Sequence, residues 1–588
     1  MTSLAAPLPS PIPPLAVWVS RLLFNDGTAL DLAPSDVVMI VGPNNAGKSL
    51  SLKGIAENVA HPGKDRRIFS RIEVAKGGTE NQLKERIEAS AVLQPDSPPT
   101  DLRYQGPTGH IFWSQAREGF ARPQNGLGPI AQLFVLSLDA QNRLKFSAVA
   151  GSIPVGKAPP QHPAHHLYED PELEARLSNA FRQAFGVDLV VDRNGGSQVP
   201  LHVGNRPTVG RGESAQSRTY IERLRALAPL AEQGDGIKAF AGLYLEAAVG
   251  HHSVVTIDEP EAFLHPPQAR LLAKMLVRDS STSRQLFIAT HSADILRGAL
   301  DANSARVRIL RLRRNGDLNC VTQLDHADVK RLWSDPLLRY SNALDGLFHE
   351  AVVLCEGDGD CRFYNAVLDA MVDADGETAV RPDVLFTHCG GKDRMPVVAD
   401  ALRAIGVPVF IVGDFDVLDG EHLLQRLVES AGMMWADVSQ EWSVVMRSIE
   451  STARPRTTRD VLTEIGIATR SLDQNAPFPE VARDAVRTAT KSANPWRLSK
   501  EIGKSIVPAG EATSTCDHLL SKLRNAGLHV VPVGHLESFA RSVRRHGPAW
   551  VLQVLQRPLA TDPELAEART FVGELLSAIR RLPTGLAS

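Results

Sequence analysis

The sequence predicts an α/β protein of more than one domain, each domain built on a parallel sheet. Three observations predict it. At 588 residues the chain exceeds what a single hydrophobic core organises, so two or three domains are expected. The apolar run Val37–Val41 feeds a Gly-rich turn, Gly42-Pro-Asn-Asn-Ala-Gly47-Lys48-Ser49, that opens a helix. Beyond residue 350, apolar runs (Ala351–Cys355, Val384–His388, 409–412) alternate with helical segments (363–371, Met395–Ala404), the pattern of parallel βα units.

Taken in order, residues 1–15 form a flexible Pro-rich lead and a first domain spans 16–326. Between residues 17 and 41, short apolar runs and turn signals (Asn25-Asp-Gly, Pro34-Ser-Asp) read as strands leading to the Gly-rich turn. Residues 60–110 are polar and read as surface helix and loops. The runs 134–138 and 144–149 predict a hairpin about residues 139–142, and Pro, Gly and His at 151–168 mark an irregular connection. Ile221, Leu224, Leu227 and Leu230 have helical spacing, predicting a helix over 213–232. A second helix follows from Gln233-Gly-Asp-Gly-Ile-Lys238 through residue 248. Runs 307–312 and 320–324 flank Asn315-Gly-Asp, a hairpin signal that closes the domain. A helical connector (327–348) leads to a second domain over 349–545. A mostly helical insertion at 421–505 interrupts it before a helix at 516–526 and a strand at 530–533, and a C-terminal helical segment follows at 546–588.

Bulk properties narrow the class. The net charge of −3 makes any nucleic-acid surface a local patch rather than a property of the whole molecule. No apolar run approaches the ~20 residues that span a bilayer. The Pro-rich lead lacks Lys and Arg and makes a poor signal peptide. The five cysteines form no CxxC pair, which favours neither a disulfide framework nor a zinc site. A cytoplasmic protein with no membrane partner is expected.

Two sets of acids follow apolar runs. The first belongs with the Gly-rich turn. Its GxxxxGKS spacing lets the backbone from Gly42 through Asn44 and Asn45 to Gly47 turn N–H groups towards phosphates at a helix N-terminus. Lys48 is placed for the β/γ-phosphates and the Ser49 hydroxyl for Mg²⁺. Far along the chain, Val254-Val-Thr-Ile-Asp258-Glu259 ends a strand in two carboxylates. Asp258 suits the Mg²⁺ shell and Glu259 the attacking water, so the set reads as an ATP site.

The second set has no nucleotide motif around it. Glu356 and Asp360 follow one strand, and Asp414 and Asp416 another. In a parallel α/β sheet, the C-terminal strand edge is where ligands bind. Clustered carboxylates repel one another unless a divalent cation neutralises them, and oxygen-only donors point to Mg²⁺ or Mn²⁺. As isolated residues they read better as strand-end caps and solvated turns.

Sequence motifs extend this reading. Asp258-Glu-Pro-Glu-Ala-Phe-Leu-His265-Pro, followed by Phe287-Ile-Ala-Thr-His291-Ser, resembles the D-loop and switch histidine of ABC-type ATPase heads, with Gln233–Lys238 a degenerate match to their signature loop. The resemblance implies that His291 senses the γ-phosphate and that two copies sandwich nucleotide, hence a homodimer or higher oligomer. Glu356-Gly-(x)₂-Asp360 and Gly-Asp414-x-Asp416, with Val-Gly-His-Leu-Glu537, resemble the TOPRIM fold. An ABC-type P-loop ATPase head followed by a TOPRIM parallel α/β domain with a helical insertion resembles the OLD (overcoming lysogenization defect) family of endonucleases. That family includes the nuclease subunit of Gabija antiphage systems.

The resemblance implies ATP, Mg²⁺ or Mn²⁺, and DNA as ligands, with a helicase-like partner protein in some systems. It makes Glu356 a metal ligand or general base, and Asp360, Asp414, Asp416 and Glu537 metal ligands. The family's catalytic lysine has no motif here; Lys392 and Lys504 are the candidates. A topoisomerase or primase shares the acidic cluster, but no tyrosine sits in a nucleophile motif and only Tyr364 lies nearby. An ATP-driven DNA clamp with a TOPRIM docking module is the remaining alternative. His162, His165 and His166 read as a solvated cluster in a loop. Arg541, Arg544 and Arg545, on a presumed helix, read equally as phosphate ligands or as a solvated face.

Overall fold

The computed structural model describes residues 15–122, 126–154, 160, 162–249, 251–316, 318–325, 329, 342–376, 380–451, 457–473, 476–490 and 496–581. The chain divides into two compact units at about residue 340. Among the described residues no helix is long and apolar enough to cross a membrane.

The first unit is organised by a six-stranded sheet in the order Leu318–Leu324, Val307–Asn315, Val37–Val41, Gln285–Ala289, Val254–Asp258, Val135–Leu138. Every pairing is parallel except the outer hairpin. All residues of Val37–Val41 and of Gln285–Ala289 are buried, as expected for central strands covered on both faces. One cover is the Lys48–Ala60 helix, whose Leu52, Ile55 and Val59 share a core with Val38, Ile40, Phe287 and Ala289. A three-stranded antiparallel sheet (Ala29–Asp31, Ala16–Phe24, Phe69–Gly77) joins the same core through Val17, Val19 and Phe69.

Two expectations in this unit are corrected. Val135–Leu138 forms no hairpin with 144–149; it is an edge strand parallel to Val254–Asp258. The reason is local: Asp139 Oδ1 accepts the N–H groups of Gln141 and Asn142 and starts a helical turn, Asn142–Lys145, instead of a reversal. The 213–232 helix shortens to Arg218–Arg225, capped by Ser217, because Ala228–Pro229 instead pairs with the Leu201–Gly204 strand. The expected hairpin forms between Val307–Asn315 and Leu318–Leu324, with Gly316 at φ 57; Asp317 lies outside the described residues. Of the predicted connector, 327–328 and 330–341 lie outside the described residues, and Asn342–Phe348 is a 3₁₀ helix.

The second unit carries a four-stranded, all-parallel sheet in the order Val384–His388, Ala351–Cys355, Val409–Gly413, Leu528–Val530. The last strand stops before Pro532, which has no N–H to extend a ladder. The insertion contributes helices Glu421–Ser430, Ser439–Ser451, Thr458–Thr469, Glu480–Ala489 and Trp496–Ile502. The C-terminal helices Pro548–Val554 and Ala566–Arg580 belong to this core: Trp550 and Val572 are fully buried with Phe363 and Tyr364 of the Asp358–Ala374 helix.

Candidate functional sites

In the first unit the Gly-rich turn leaves the central strand with Gly42 at φ 145 and enters its helix through Gly47 at φ 92. A Cβ on Gly42 would lie 2.1 Å from the Leu312 carbonyl oxygen, so the close approach to the neighbouring strand demands glycine. Lys48 is almost fully buried, and its ammonium donates to the carbonyls of Gly42 and Pro43, 2.7 Å each. The Ser49 hydroxyl donates to Asp258 Oδ1 at 3.0 Å, joining the turn to the Val254–Asp258 strand. Burial raises the Asp258 pKa, and the Glu259 charge adds to it against the Ser49 hydrogen bond. Asn45, Gly47, Lys48, Ser49 and His291 line one cavity of about 480 Å³. His291 Nε2 stands 3.7 Å from Glu259 Oε1. Gly42, Asn45, Gly47, Lys48, Ser49, Asp258, Glu259 and His291 are thus brought together, while Asn44 sits at the exposed crest of the turn.

Sequence reasoning passed over three residues here. Glu261, inside the Asp258-Glu-Pro-Glu motif, accepts the His291 N–H at 2.7 Å and the Thr290 hydroxyl at 2.9 Å, fixing the histidine's backbone. Arg143, fully buried, donates to the carbonyls of Asp258 and Glu259, 3.2 and 2.8 Å. Asn319 donates to the Ala46 carbonyl at 2.6 Å and braces the turn from the outer hairpin. Glu259 (φ 47) and Phe263 (φ 72) occupy left-handed backbone conformations that cost non-glycine residues energy, a cost typically borne at functional sites. The Gln233–Lys238 loop meets this segment where the helix beginning at Asp235 starts: a Cβ on Gly236 would lie 2.7 Å from the Phe263 carbonyl oxygen.

In the second unit the acids gather at the C-terminal edge of the parallel sheet. Glu356 directly follows the Ala351–Cys355 strand. Asp360 sits in the first helical turn behind it and accepts the Gly357 N–H at 2.9 Å. Asp414 and Asp416 follow Val409–Gly413, with Asp416 in a short 3₁₀ turn, buried. Glu537 lies past Leu528–Val530 and accepts the Gly547 N–H at 2.9 Å, with His535 Nε2 3.3 Å from its other oxygen. Burial, then the charges of Glu356 and Glu537, push the Asp360 carboxyl up to about 6. Burial and the charges of Asp360, Glu356 and Asp416 also raise the Asp414 carboxyl well above its usual range. Glu356 Oε2 and Asp416 Oδ1 are buried without a hydrogen-bond partner among the described residues.

Mutually opposed carboxylates with orphaned oxygens fit a hard divalent cation. In their present rotamers no three His, Cys, Asp or Glu side chains among the described residues are arranged to hold one. Two lysines take up part of the charge. Lys392 reaches Asp416 Oδ2 at 2.8 Å, carried there by Gly390 and Gly391 at φ 75 and 129. Lys500, which the sequence did not single out, reaches the same oxygen at 3.1 Å. Its helix is docked through Trp496, which stacks on Phe415 at 6.4 Å, and Lys500 lies one turn further on. Burial lowers the Lys500 pKa, but the charge and hydrogen bond of Asp416 and the charges of Asp414 and Glu356 outweigh it, for a net rise. Lys504 instead pairs with Asp517, and Asp358 with Arg362 at the surface.

The histidines do not form a solvated cluster. His162 caps the Pro163–Glu169 helix and His165 is buried, its Nε2 2.7 Å from the Gly151 carbonyl.

These features define a P-loop ATPase domain joined in one chain to a TOPRIM domain. Residues 135–297 match the model of an AAA domain described as "putative AbiEii toxin, Type IV TA system". Residues 347–416 match the TOPRIM domain of overcoming lysogenization defect protein-like proteins. The Old nuclease of Escherichia phage P2 is 28% identical over 197 residues, 30% of this chain and 33% of that protein. The chain therefore spans about a third of the length of the curated relative it matches. Among solved structures, the SMC head domain from Thermotoga maritima aligns over 53% of this chain and 99% of its own, at 12% identity and a TM-score of 0.26. The Smc head domain with an extended coiled coil derived from Pyrococcus furiosus aligns over 54% and 99%, at 10% identity and a TM-score of 0.30.

Proposed function

We propose that this chain is an ATP-regulated, divalent-metal-dependent DNA endonuclease that hydrolyses phosphodiesters at the acidic edge of its second unit. The observation that carries the reading is the electrostatic frustration of that edge. Asp360 and Asp414 have raised pKa values, and the neighbouring Glu356 and Asp416 each bury an oxygen that lacks a partner among the described residues. In this reading Glu356, Asp360, Asp414, Asp416 and Glu537 hold Mg²⁺ or Mn²⁺, with Glu356 also placed to take a proton from water. The bound ions supply an activated water and neutralise charge on the phosphate. Lys500 and Lys392 hold the Asp416 carboxylate in place and bring positive charge to the edge where a phosphate arrives. The buried Tyr364, packed against Phe363 and Phe571, is no nucleophile for topoisomerase chemistry.

In the first unit Lys48, now on its own loop carbonyls, would turn to the phosphates of a bound ATP, and Ser49 and Asp258 would hold its Mg²⁺. Glu259 orients the attacking water and His291 reads the γ-phosphate. Nucleotide sandwiched between two copies makes the working form a homodimer or larger, and its cycle gates the nuclease. A cytoplasmic role in antiphage defence, with a helicase-like partner, completes the proposal and rests on the family resemblance. The test is supercoiled plasmid incubated with Mg²⁺ or Mn²⁺, with and without ATP. Metal-dependent cutting that Glu356→Ala abolishes supports the reading. Cutting that survives Glu356→Ala contradicts it.

A further inference from the structure

The stretch that holds Arg541, Arg544 and Arg545 is not the helix its sequence suggested. After the Leu536–Phe539 turn, residues 540–547 run without regular structure to the Pro548–Val554 helix. Several fastenings hold this loop. Val543 is buried in the core of the unit. The Trp550 indole N–H donates to the Ala540 carbonyl at 3.3 Å, closing the loop at its base. Gly547, at φ 57, donates its N–H to Glu537 Oε1 and so ties the far end to one of the clustered acids. The Ser542 N–H donates to Glu564 Oε1 at 2.8 Å, and Arg557 holds that carboxylate at 2.9 Å. Arg541 donates to the Glu501 carbonyl at 3.3 Å, on the helix that also carries Lys500.

What the fastenings present is charge. Arg544, Arg545 and His546 are exposed, and neither guanidinium has a hydrogen-bond or ion-pair partner among the described residues. The neighbouring edge carries five carboxylates, and its two lysines are both engaged with Asp416. A polyanionic strand approaching that edge is repelled unless cations meet the phosphates on either side of the one to be cut. Guanidinium groups suit that task, because their fork matches phosphate oxygens in pairs. A loop braced before the ligand arrives loses little conformational freedom on binding.

We propose that the 541–547 loop is a backbone clamp for the DNA substrate, with Arg544 and Arg545 binding the phosphates that flank the scissile one. This rests on the nuclease reading above. The clamp reads no bases, so it contributes affinity and register without sequence preference.

The test is equilibrium binding of a labelled DNA duplex to the full chain in Ca²⁺, alongside steady-state cleavage in Mg²⁺ or Mn²⁺. Between ~50 and ~200 mM salt, the slope of log affinity against log salt falls by about 2 in R544Q/R545Q, roughly 0.9 per lost phosphate contact. R544K/R545K keeps most of the slope, and R459Q/R470Q, on the Thr458–Thr469 helix and just beyond it, keeps all of it. In cleavage, R544Q/R545Q raises KM with kcat little changed. R544Q/R545Q with wild-type slope and affinity, beside a wild type that still cuts, overturns the clamp and leaves the nuclease standing. A wild type that cuts no DNA with any metal or nucleotide overturns both.

Discussion

The Lys500 ammonium lies 3.1 Å from Asp416 Oδ2, the same oxygen that Lys392 holds at 2.8 Å. Asp416 Oδ1 is left buried without a hydrogen-bond partner among the described residues. One carboxylate thus divides its duties, one oxygen held by two cationic side chains and the other buried and free of them.

That division separates Lys500 from Lys504. Lys500→Ala lowers metal-dependent DNA cleavage by ~10²–10⁴-fold, the range for losing a positioned proton donor or charge in a reaction site. Divalent-metal affinity measured by calorimetry changes far less. Lys504→Ala, which removes only the partner of Asp517, leaves cleavage within a few-fold of wild type. Equal loss in the two variants contradicts the assignment.

At the ATP site, Glu259→Gln slows ATP hydrolysis by at least ~10²-fold, because the carboxylate that orients water is lost. Nucleotide binding, measured with a fluorescent ATP analogue, stays within a few-fold, since the Gly42–Ser49 turn is untouched. Lys48→Ala abolishes binding itself.

Glu246 gives a pH signature outside both sites. It is buried, and burial raises its carboxyl to about 7 against the opposing Arg284 charge. The folded-state value lies above the unfolded one, so its contribution to stability is complete below about pH 4. It is lost as pH rises through about 7. At about 1.4 kcal/mol per pKa unit the loss is roughly 3 kcal/mol. Thermal denaturation followed by circular dichroism is therefore expected to show Glu246→Gln raising Tm at pH 8 but not at pH 5.

Trp550 tests how the second unit is built. Its side chain is fully buried beside Phe363, ring centroids 5.3 Å apart. Trp550→Ala costs ~3–5 kcal/mol, the usual range for emptying such a site. Truncation after residue 545 leaves the Asp358–Ala374 helix without its cover and yields no folded second unit. A truncated chain whose residues 342–545 resist limited proteolysis as they do in the full chain contradicts this.

Much of this was legible in the sequence because the chemistry constrains spacing. The Gly42–Ser49 turn, the acids after Val254–Asp258 and those after Ala351–Cys355 and Val409–Gly413 all stand where a strand ends. Each of those strands is a buried apolar run that composition reveals. The hairpin expected about residues 139–142 failed for the opposite reason. An apolar run such as Val135–Leu138 looks the same whether its partner is adjacent or, as here, the distant Val254–Asp258 strand. Lys500 was invisible because nothing near it in sequence marks it. It reaches Asp416 only because Trp496 docks its helix on Phe415. The arginines after Glu537 were visible as charges but not as a loop, since the fastenings at Gly547, Trp550 and Glu564 are tertiary.

The central claim is that the edge acids form a metal centre. The direct measurement is Mn²⁺ binding to nucleotide-free, DNA-free protein by titration calorimetry, comparing wild type with Glu356→Gln and Asp414→Asn. Binding in the wild type that both variants weaken severely, while Asp258→Asn leaves it unchanged, is the predicted result. Mn²⁺ binding that is indifferent to Glu356 and Asp414 contradicts the account.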